Sequence, residues 1–164
     1  MPDRHGSEHG FTLIELIVTV ATLAVVAAVA IPHIPNRNYG LWNGHSQVIA
    51  DLRRARMDSL VKGDHHSVTI DSSTQYTMVR LTDDDGNGVW TPDGDTERTK
   101  TLPDGVTFTE GIGESFEFNT RGLMVIPEAA APLRLTDSRT LSERWITVWP
   151  SGQVAPTAIP GEEE

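Results

Sequence analysis

The 164-residue sequence contains no cysteine. An exported domain built from it has no disulfide staples and must rely on its own core, on metal, or on subunit contacts. Positive charge is scarce: 13 Lys and Arg stand against 23 Asp and Glu, a formal net charge of −10. That balance opposes general nucleic-acid binding, which needs a cationic surface, and suits a soluble domain at a cell surface. Enzyme signatures are missing too. The chain has no GxSxG, HExxH, CxxC or Walker loop, and it is read as a non-enzyme. No internal repeat is visible.

What the sequence does have is one long apolar run, GFTLIELIVTVATLAVVAAVAIP, from Gly10 to Pro32. The twenty-one residues Phe11 to Ile31 carry a single charge, Glu15. As a helix they are roughly 30 Å long, about the hydrocarbon thickness of a bilayer. The run is apolar all round, so a soluble helix made from it has no wet face. A carboxylate in hydrocarbon costs at least a few kcal/mol and usually serves a purpose. A secretory signal would carry a clearer basic region and end at small residues, whereas here the charged leader stops at Gly10, before the run.

Gly-Phe-Thr-Leu-Ile-Glu followed by such a helix resembles the class III signal of type IV pilins and type II secretion pseudopilins, over about twenty-three residues without a gap. The resemblance implies that residues 1–10 are a leader and that 11–31 are a transmembrane and assembly helix. A membrane prepilin peptidase and methyltransferase then cuts after Gly10 and methylates Phe11. It implies that Glu15 meets the N-terminal amine of a neighbouring subunit, a cation that lowers the cost of holding the carboxylate in lipid. Arg4 alone precedes the helix, while Arg37, Arg53, Arg54 and Arg56 follow it. Charge bias by itself favours the opposite orientation. The resemblance, with its cytoplasmic leader, sets the topology: a single pass in the bacterial inner membrane, with the globular domain in the periplasm and available for extraction into a filament.

Beyond the helix, Pro32, Pro35, Gly40 and Gly44 interrupt residues 32–44. They predict a kinked or melted continuation over 32–62, with Leu41 and Trp42 packed on something. Helical spacing resumes over 45–62, with Val48, Leu52, Ala55 and Ser59 in a stripe that Ile49 and Leu60 broaden, and Gly63 as the stop. Arg53, Arg54 and Arg56 lie partly off the stripe, as a solvated face or as a contact for acidic neighbours or lipid headgroups.

Residues 63–164 then read as a β-rich domain. Period-two runs at 67–71 and 75–81 form a hairpin, and further strands are expected at 98–102, 106–110, 115–120, 122–126, 133–137 and 144–150. The tail PGEEE is expected to be loose. Short strands after one helix predict an antiparallel α+β domain, with the helix face packed on a sheet. The arginine-rich LRRAR run, the paired strands, the DxDGNG hairpin and the terminal WITVWPSGQV look like the GspH/FimT branch of minor pseudopilins and pilins, across most of 45–154. That resemblance implies a pilin-like fold and other pilins or pseudopilins as partners.

Three stretches are candidate sites. In TDDDGNGVWTPDGD, residues 82–95, Asp83, Asp85 and Asn87 alternate and Gly88 follows, as in the first half of an EF-hand loop. The second half fails, because position twelve is Gly94. Calcium on Asp83, Asp85 and Asn87 therefore stands beside a plain acidic hairpin turn made from Asp-Gly and Asn-Gly. DNA-binding members of the FimT branch carry a glycine-arginine-x-arginine motif near the end. Here Gly152 is kept, but Gln153 and Ala155 stand where the arginines would be, which argues against DNA as a partner. His65 and His66 are adjacent, so on a strand they diverge and do not easily share a metal. Trp42, Trp90, Trp145 and Trp149 are scattered, which fits core or subunit packing better than a sugar platform.

Overall fold

The computed structural model describes residues 12–30, 39–126 and 129–157. It divides into two units, 1–36 and 37–164. The first contains α1, Leu13–Ala30. The leader, residues 31–38 and the PGEEE tail lie outside the described residues, so the expectations placed on them do too.

The second unit opens with α2, Tyr39–Lys62. Sequence reading placed a break through residue 44, yet the helix begins at Tyr39 and runs through Gly40 and Gly44. The reason is close packing. Gly44 is buried, and a Cβ there would stand 3.1 Å from Pro103 Cδ and 3.4 Å from a Val106 methyl. Glycine here lets the helix approach the turn before a strand, and the packing offsets its poor helix propensity. Leu41 is buried as expected; Trp42 is 54% exposed.

Ten strands follow. The first six are β1 His65–Ile70, β2 Gln75–Thr82, β3 Thr91–Pro92, β4 Arg98–Thr101, β5 Val106–Glu110 and β6 Ser115–Phe118. Then come β7 Met124–Ile126, β8 Ala131–Asp137, β9 Glu143–Val148 and β10 Val154–Thr157. All pairs are antiparallel, in two sheets rather than the one expected. Sheet A has the order β3-β2-β1-β6-β7, with β4 also paired to β2; sheet B has the order β10-β9-β8-β5. The two strands not foreseen are β3 and β10. Each contains a proline, and each lies at an edge of its sheet, the place where a missing N–H is tolerated.

The helix stripe Leu41, Val48, Ile49, Leu52 and Ala55 packs on both sheets, while Leu60, expected in the stripe, is exposed. Val68, Ile70, Tyr76, Phe116 and Phe118 close the core from sheet A; Phe108, Leu133, Leu135, Ile146 and Val148 close it from sheet B. One polar cluster enters this core. Asp51 accepts from the Tyr76 hydroxyl at 2.6 Å and from Lys100 Nζ at 2.7 and 2.8 Å, and Gln47 donates to the same hydroxyl at 2.9 Å. Burial, with the bond to Asp51, pushes the Tyr76 phenol well above its ordinary value.

Two of the three arginines of α2, Arg53 and Arg56, are bonded to backbone carbonyls of this unit rather than left as a solvated face. Arg53 donates twice to the Val154 carbonyl at 3.1 and 2.8 Å. Arg56 donates to Gly122 O at 3.0 Å and to Ser151 O at 3.2 Å. They tie α2 to β10, to the β6–β7 turn and to the β9–β10 turn. Arg54 makes no such bond; it is exposed and lies 4.0 Å from Asp58. Gly152 belongs to the same contact. Its φ is +74°, and a Cβ there would overlap the Gly122 carbonyl, so its place in the β9–β10 turn is steric.

Arg56→Ala is expected to lower stability by about 1–2 kcal/mol, because two carbonyls lose a charged donor. Arg54→Ala, which loses only a surface ion pair, is expected to change it by under about 0.5 kcal/mol. Denaturant unfolding of the two variants checks the contrast. Acid is expected to destabilise the domain in two stages. Burial holds His45 and His66 below the ordinary histidine value. The unfolded chain therefore takes up their protons first, and the stability they contribute is complete above about pH 6.5 and lost as pH falls below it. Asp137 is held below its ordinary value by the Arg139 guanidinium and then by Arg139's backbone amide. Its contribution is present above the ordinary aspartate value and lost as pH falls through the lower, folded one. Thermal melts from pH 8 to pH 3 measure both stages.

Candidate functional site

Helix α1 starts from a local signal. Thr12 lies just before it; its hydroxyl accepts from the Glu15 amide at 3.3 Å, and its carbonyl accepts from the same amide at 3.1 Å. Thr12-Leu13-Ile14-Glu15 has the spacing of a capping box, and Glu15 is an acid in the first turn, where the helix dipole favours it. The spacing was visible in the sequence but was overshadowed by the oddity of the charge. Glu15 is exposed. Gly10 and Phe11 lie outside the described residues.

Along the rest of α1 the polar groups are turned inward. Thr19 donates to Leu16 O at 2.8 Å; Thr22 donates to Val18 O at 2.8 Å and Thr19 O at 2.9 Å. With the hydroxyls bonded to the helix's own carbonyls, the helix presents hydrocarbon outward. Leu13, Ile14, Leu16, Ile17, Val20 and Leu23 are each more than half exposed. The eighteen residues rise about 27 Å. Among the described residues, no helix is long and apolar enough to cross a membrane. Phe11 and Ile31, the ends of the expected span, lie outside them.

The acidic stretch forms the turn between β2 and β3, whose registers are Leu81 with Pro92 and Thr82 with Thr91. Asp83, Asp85 and Asn87 are brought together, but their oxygens serve the turn. Asp83 accepts from the Asn87 amide at 3.0 Å and the Gly88 amide at 2.9 Å; Asp85 accepts from the Asn87 side-chain amide at 2.6 Å; Asn87 accepts from the Val89 amide at 2.7 Å. Among the described residues no cluster of three or more His, Asp or Glu is arranged to hold a metal. The residues form a hairpin turn whose side-chain oxygens accept from its own amides.

The two histidines diverge. His65 lies 2.6 Å from Glu117 through Nδ1 and stacks on Trp90, with ring centroids 3.8 Å apart. His66 is buried on the other face. Trp145 lies under the Arg134 guanidinium at 5.2 Å, and none of the four tryptophans is in the core. Gln153 is exposed in the β9–β10 turn, where its carbonyl accepts from the Trp149 amide at 2.9 Å. Arg56 reaches that turn, where it is bonded to Ser151 and Gly122.

Comparison with known proteins agrees with both halves of the chain. Residues 6–31 match the family model described as the prokaryotic N-terminal methylation motif. No curated protein matches the chain. Among solved structures, it is similar to the type IV minor pilin FimU of Pseudomonas aeruginosa, with 14% identity, a TM-score of 0.55, and 76% of this chain and 92% of that one covered. It is also similar to the minor pseudopilin EpsH from the type 2 secretion system of Vibrio cholerae, with 19% identity, a TM-score of 0.53, and 75% and 98% covered. At these identities the likeness is one of fold. The chain is thus pilin-like: a prepilin-type methylation motif stands ahead of an α+β domain with the fold of minor pilins and pseudopilins.

For the acidic turn, Asp83→Ala is expected to cost about 1 kcal/mol, because two amides lose an acceptor. Millimolar calcium is expected to leave the melting temperature of the full chain unchanged. One-to-one heat in titration calorimetry, with a rise in melting temperature, would restore calcium to this loop.

Proposed function

We propose that this chain is a minor pseudopilin or minor pilin subunit that assembles, through α1, into a type II secretion pseudopilus or a type IV pilus-like filament. The observation that carries this is α1 itself. Its hydroxyls are bonded to its own carbonyls and its apolar side chains are exposed, and one carboxylate stands in the first turn within the matched methylation motif. Such a helix is stable only in lipid or against other apolar helices. In this reading it anchors the chain in the inner membrane, with the domain on the periplasmic side, and later packs with the helices of neighbouring pilins. A prepilin peptidase and methyltransferase acts at Gly10 and Phe11. Glu15 meets the N-terminal amine of the next subunit, which fixes register in a head-to-tail assembly. The role is structural and involves no catalysis. DNA uptake is the less favoured role, since the β9–β10 turn offers Gln153 and Ala155 and the chain is acidic.

Substitutions at residues 10 and 15 test the reading. Gly10→Asp is expected to leave the leader attached, read by intact mass of membrane-purified protein. Glu15→Ala is expected to insert and to be processed, but to lose capture of partner pilins in crosslinking. Glu15→Gln keeps the capping-box geometry and removes the charge, so it is expected to fail in assembly as Glu15→Ala does. If Glu15→Gln assembles at wild-type yield, Glu15 is a helix cap and not an intersubunit contact. A wild-type chain still starting at Met1, with no methyl on Phe11, would remove the pilin assignment.

A further inference from the structure

The sequence contains Asn-Gly twice, at Asn43-Gly44 and at Asn87-Gly88. This dipeptide is chemically labile. The glycine amide nitrogen can attack the asparagine side-chain carbon, because glycine has no Cβ to block the approach. Holding two reacting groups side by side gives such an internal attack a large advantage. The fold treats the two sites differently.

Asn43 and Gly44 lie inside α2. In a helix the Gly44 amide is committed to a carbonyl four residues back. Ring closure there would turn the backbone out of its helical torsions. Gly44 is buried, with Pro103 Cδ and a Val106 methyl 3.1 and 3.4 Å from the place of a Cβ, so the backbone has little room to turn.

Asn87 and Gly88 are exposed in the β2–β3 turn. Gly88 has a φ of +82°, and nothing stands within 4 Å of the place its Cβ would take. An open depression of about 210 Å³, lined by Asp84, Asp85, Asn87, Val89 and Thr91, brings solvent to the Asn87 side chain. The polar contacts are those the reaction needs. The Gly88 amide donates to Asp83 Oδ2 at 2.9 Å, so its proton already faces a base. The Val89 amide donates to Asn87 Oδ1 at 2.7 Å, where negative charge develops on attack. Asn87 Nδ2, the leaving group, donates to Asp85 Oδ2 at 2.6 Å.

We propose that Asn87 is a site of spontaneous deamidation, promoted by the turn that holds it, with Asp83 as the base. The Gly88 nitrogen gives its proton to Asp83 and forms a bond to Asn87 Cγ. The tetrahedral oxyanion at Oδ1 collapses, and the Cγ–Nδ2 bond breaks. The proton passes on to the departing nitrogen, which leaves as ammonia. A cyclic imide remains between residues 87 and 88. Water opens it at either carbonyl, giving aspartate or isoaspartate at position 87. Aspartate puts a carboxylate where Nδ2 donated to Asp85, and isoaspartate lengthens the main chain by one carbon. Either change breaks the turn's own bonding. The inference concerns this turn alone and does not rest on filament assembly.

The test is incubation of the full chain in detergent micelles at neutral pH. Tryptic peptides 38–53 and 81–98 are then followed by mass spectrometry with fragmentation. Deamidation replaces NH2 by OH and raises the mass, whereas isomerisation at Asp-Gly leaves it unchanged. Residue 87 is expected to gain mass at least tenfold faster than residue 43. In urea the two rates are expected to converge to within about threefold, because unfolding removes both geometries. Asp83→Ala is expected to slow the reaction at Asn87 at least fivefold. Asp84→Ala is expected to leave it unchanged, since Asp84 is exposed and, among the described residues, is not an acceptor for residues 87–89. Equal rates at 87 and 43, a tenfold gap that survives urea, or an equal loss in Asp84→Ala would each overturn the proposal. So would an Asp83→Ala rate at or above that of the wild type, which would mean that the bond from Gly88 to Asp83 does not promote the attack.

Discussion

The second unit depends on how α2 lies against two sheets that share no strand. An apolar stripe supplies most of the attraction, since burying each large aliphatic side chain contributes about 1.5–3 kcal/mol. A stripe alone is not directional, and a helix can slide or rotate on it. The polar contacts remove that freedom. Asp51 ties the middle of α2 to Tyr76 on β2 and Lys100 on β4, in sheet A. Two and five residues later, Arg53 and Arg56 reach the other way, to β10 and the β9–β10 turn of sheet B and to the β6–β7 turn. One side of the helix is registered on each sheet. Gly44 and Gly152 mark where backbones come too close for a side chain.

That arrangement explains which parts of the fold were legible in the sequence. The stripe was legible because burial repeats at helical period; Val48, Leu52, Ala55 and Ser59 are all buried. Most strands were legible because period-two alternation and Gly or Pro punctuation are local signals. The start of α2 was misread because Gly40 and Gly44 count against a helix locally, while the contact that favours them, with residues 103–106 and 139, is distant in sequence. β3 and β10 were missed because each contains proline, and only their position at a sheet edge makes that acceptable. The arginines were misread for a related reason. A charged residue off the apolar stripe looks solvated, and nothing local says that a backbone carbonyl some 65 to 100 residues away will accept its protons.

The candidate sites divide along the same line. Glu15 stands out in the sequence because a charge inside an apolar run needs no partner to be conspicuous. The capping-box spacing it shares with Thr12, whose hydroxyl accepts from the Glu15 amide, needed the helix start to be seen. The acidic turn at 83–88 was found for its calcium-like spacing. That spacing serves hairpins equally well, because both uses require oxygens at alternate positions and glycine at positive φ; Gly86 and Gly88 both adopt it. In this turn the oxygens of Asp83, Asp85 and Asn87 accept from its own amides.

The two units answer to different solvents, and that constrains how one chain can satisfy both. In α1 every hydroxyl described is bonded back to the helix, so the element has no polar group to offer a neighbour except the carboxylate of Glu15. Apolar helices in lipid gain little from burying one another, because the tails are equally apolar. Packing shape brings them together, and a single charge pair is the kind of contact that can choose one register among many similar ones. The second unit has the opposite character. Its core is drawn from α2 and both sheets, and its polar ties run between elements of the same unit, Asp51 to Lys100 and Arg53 and Arg56 to backbone carbonyls.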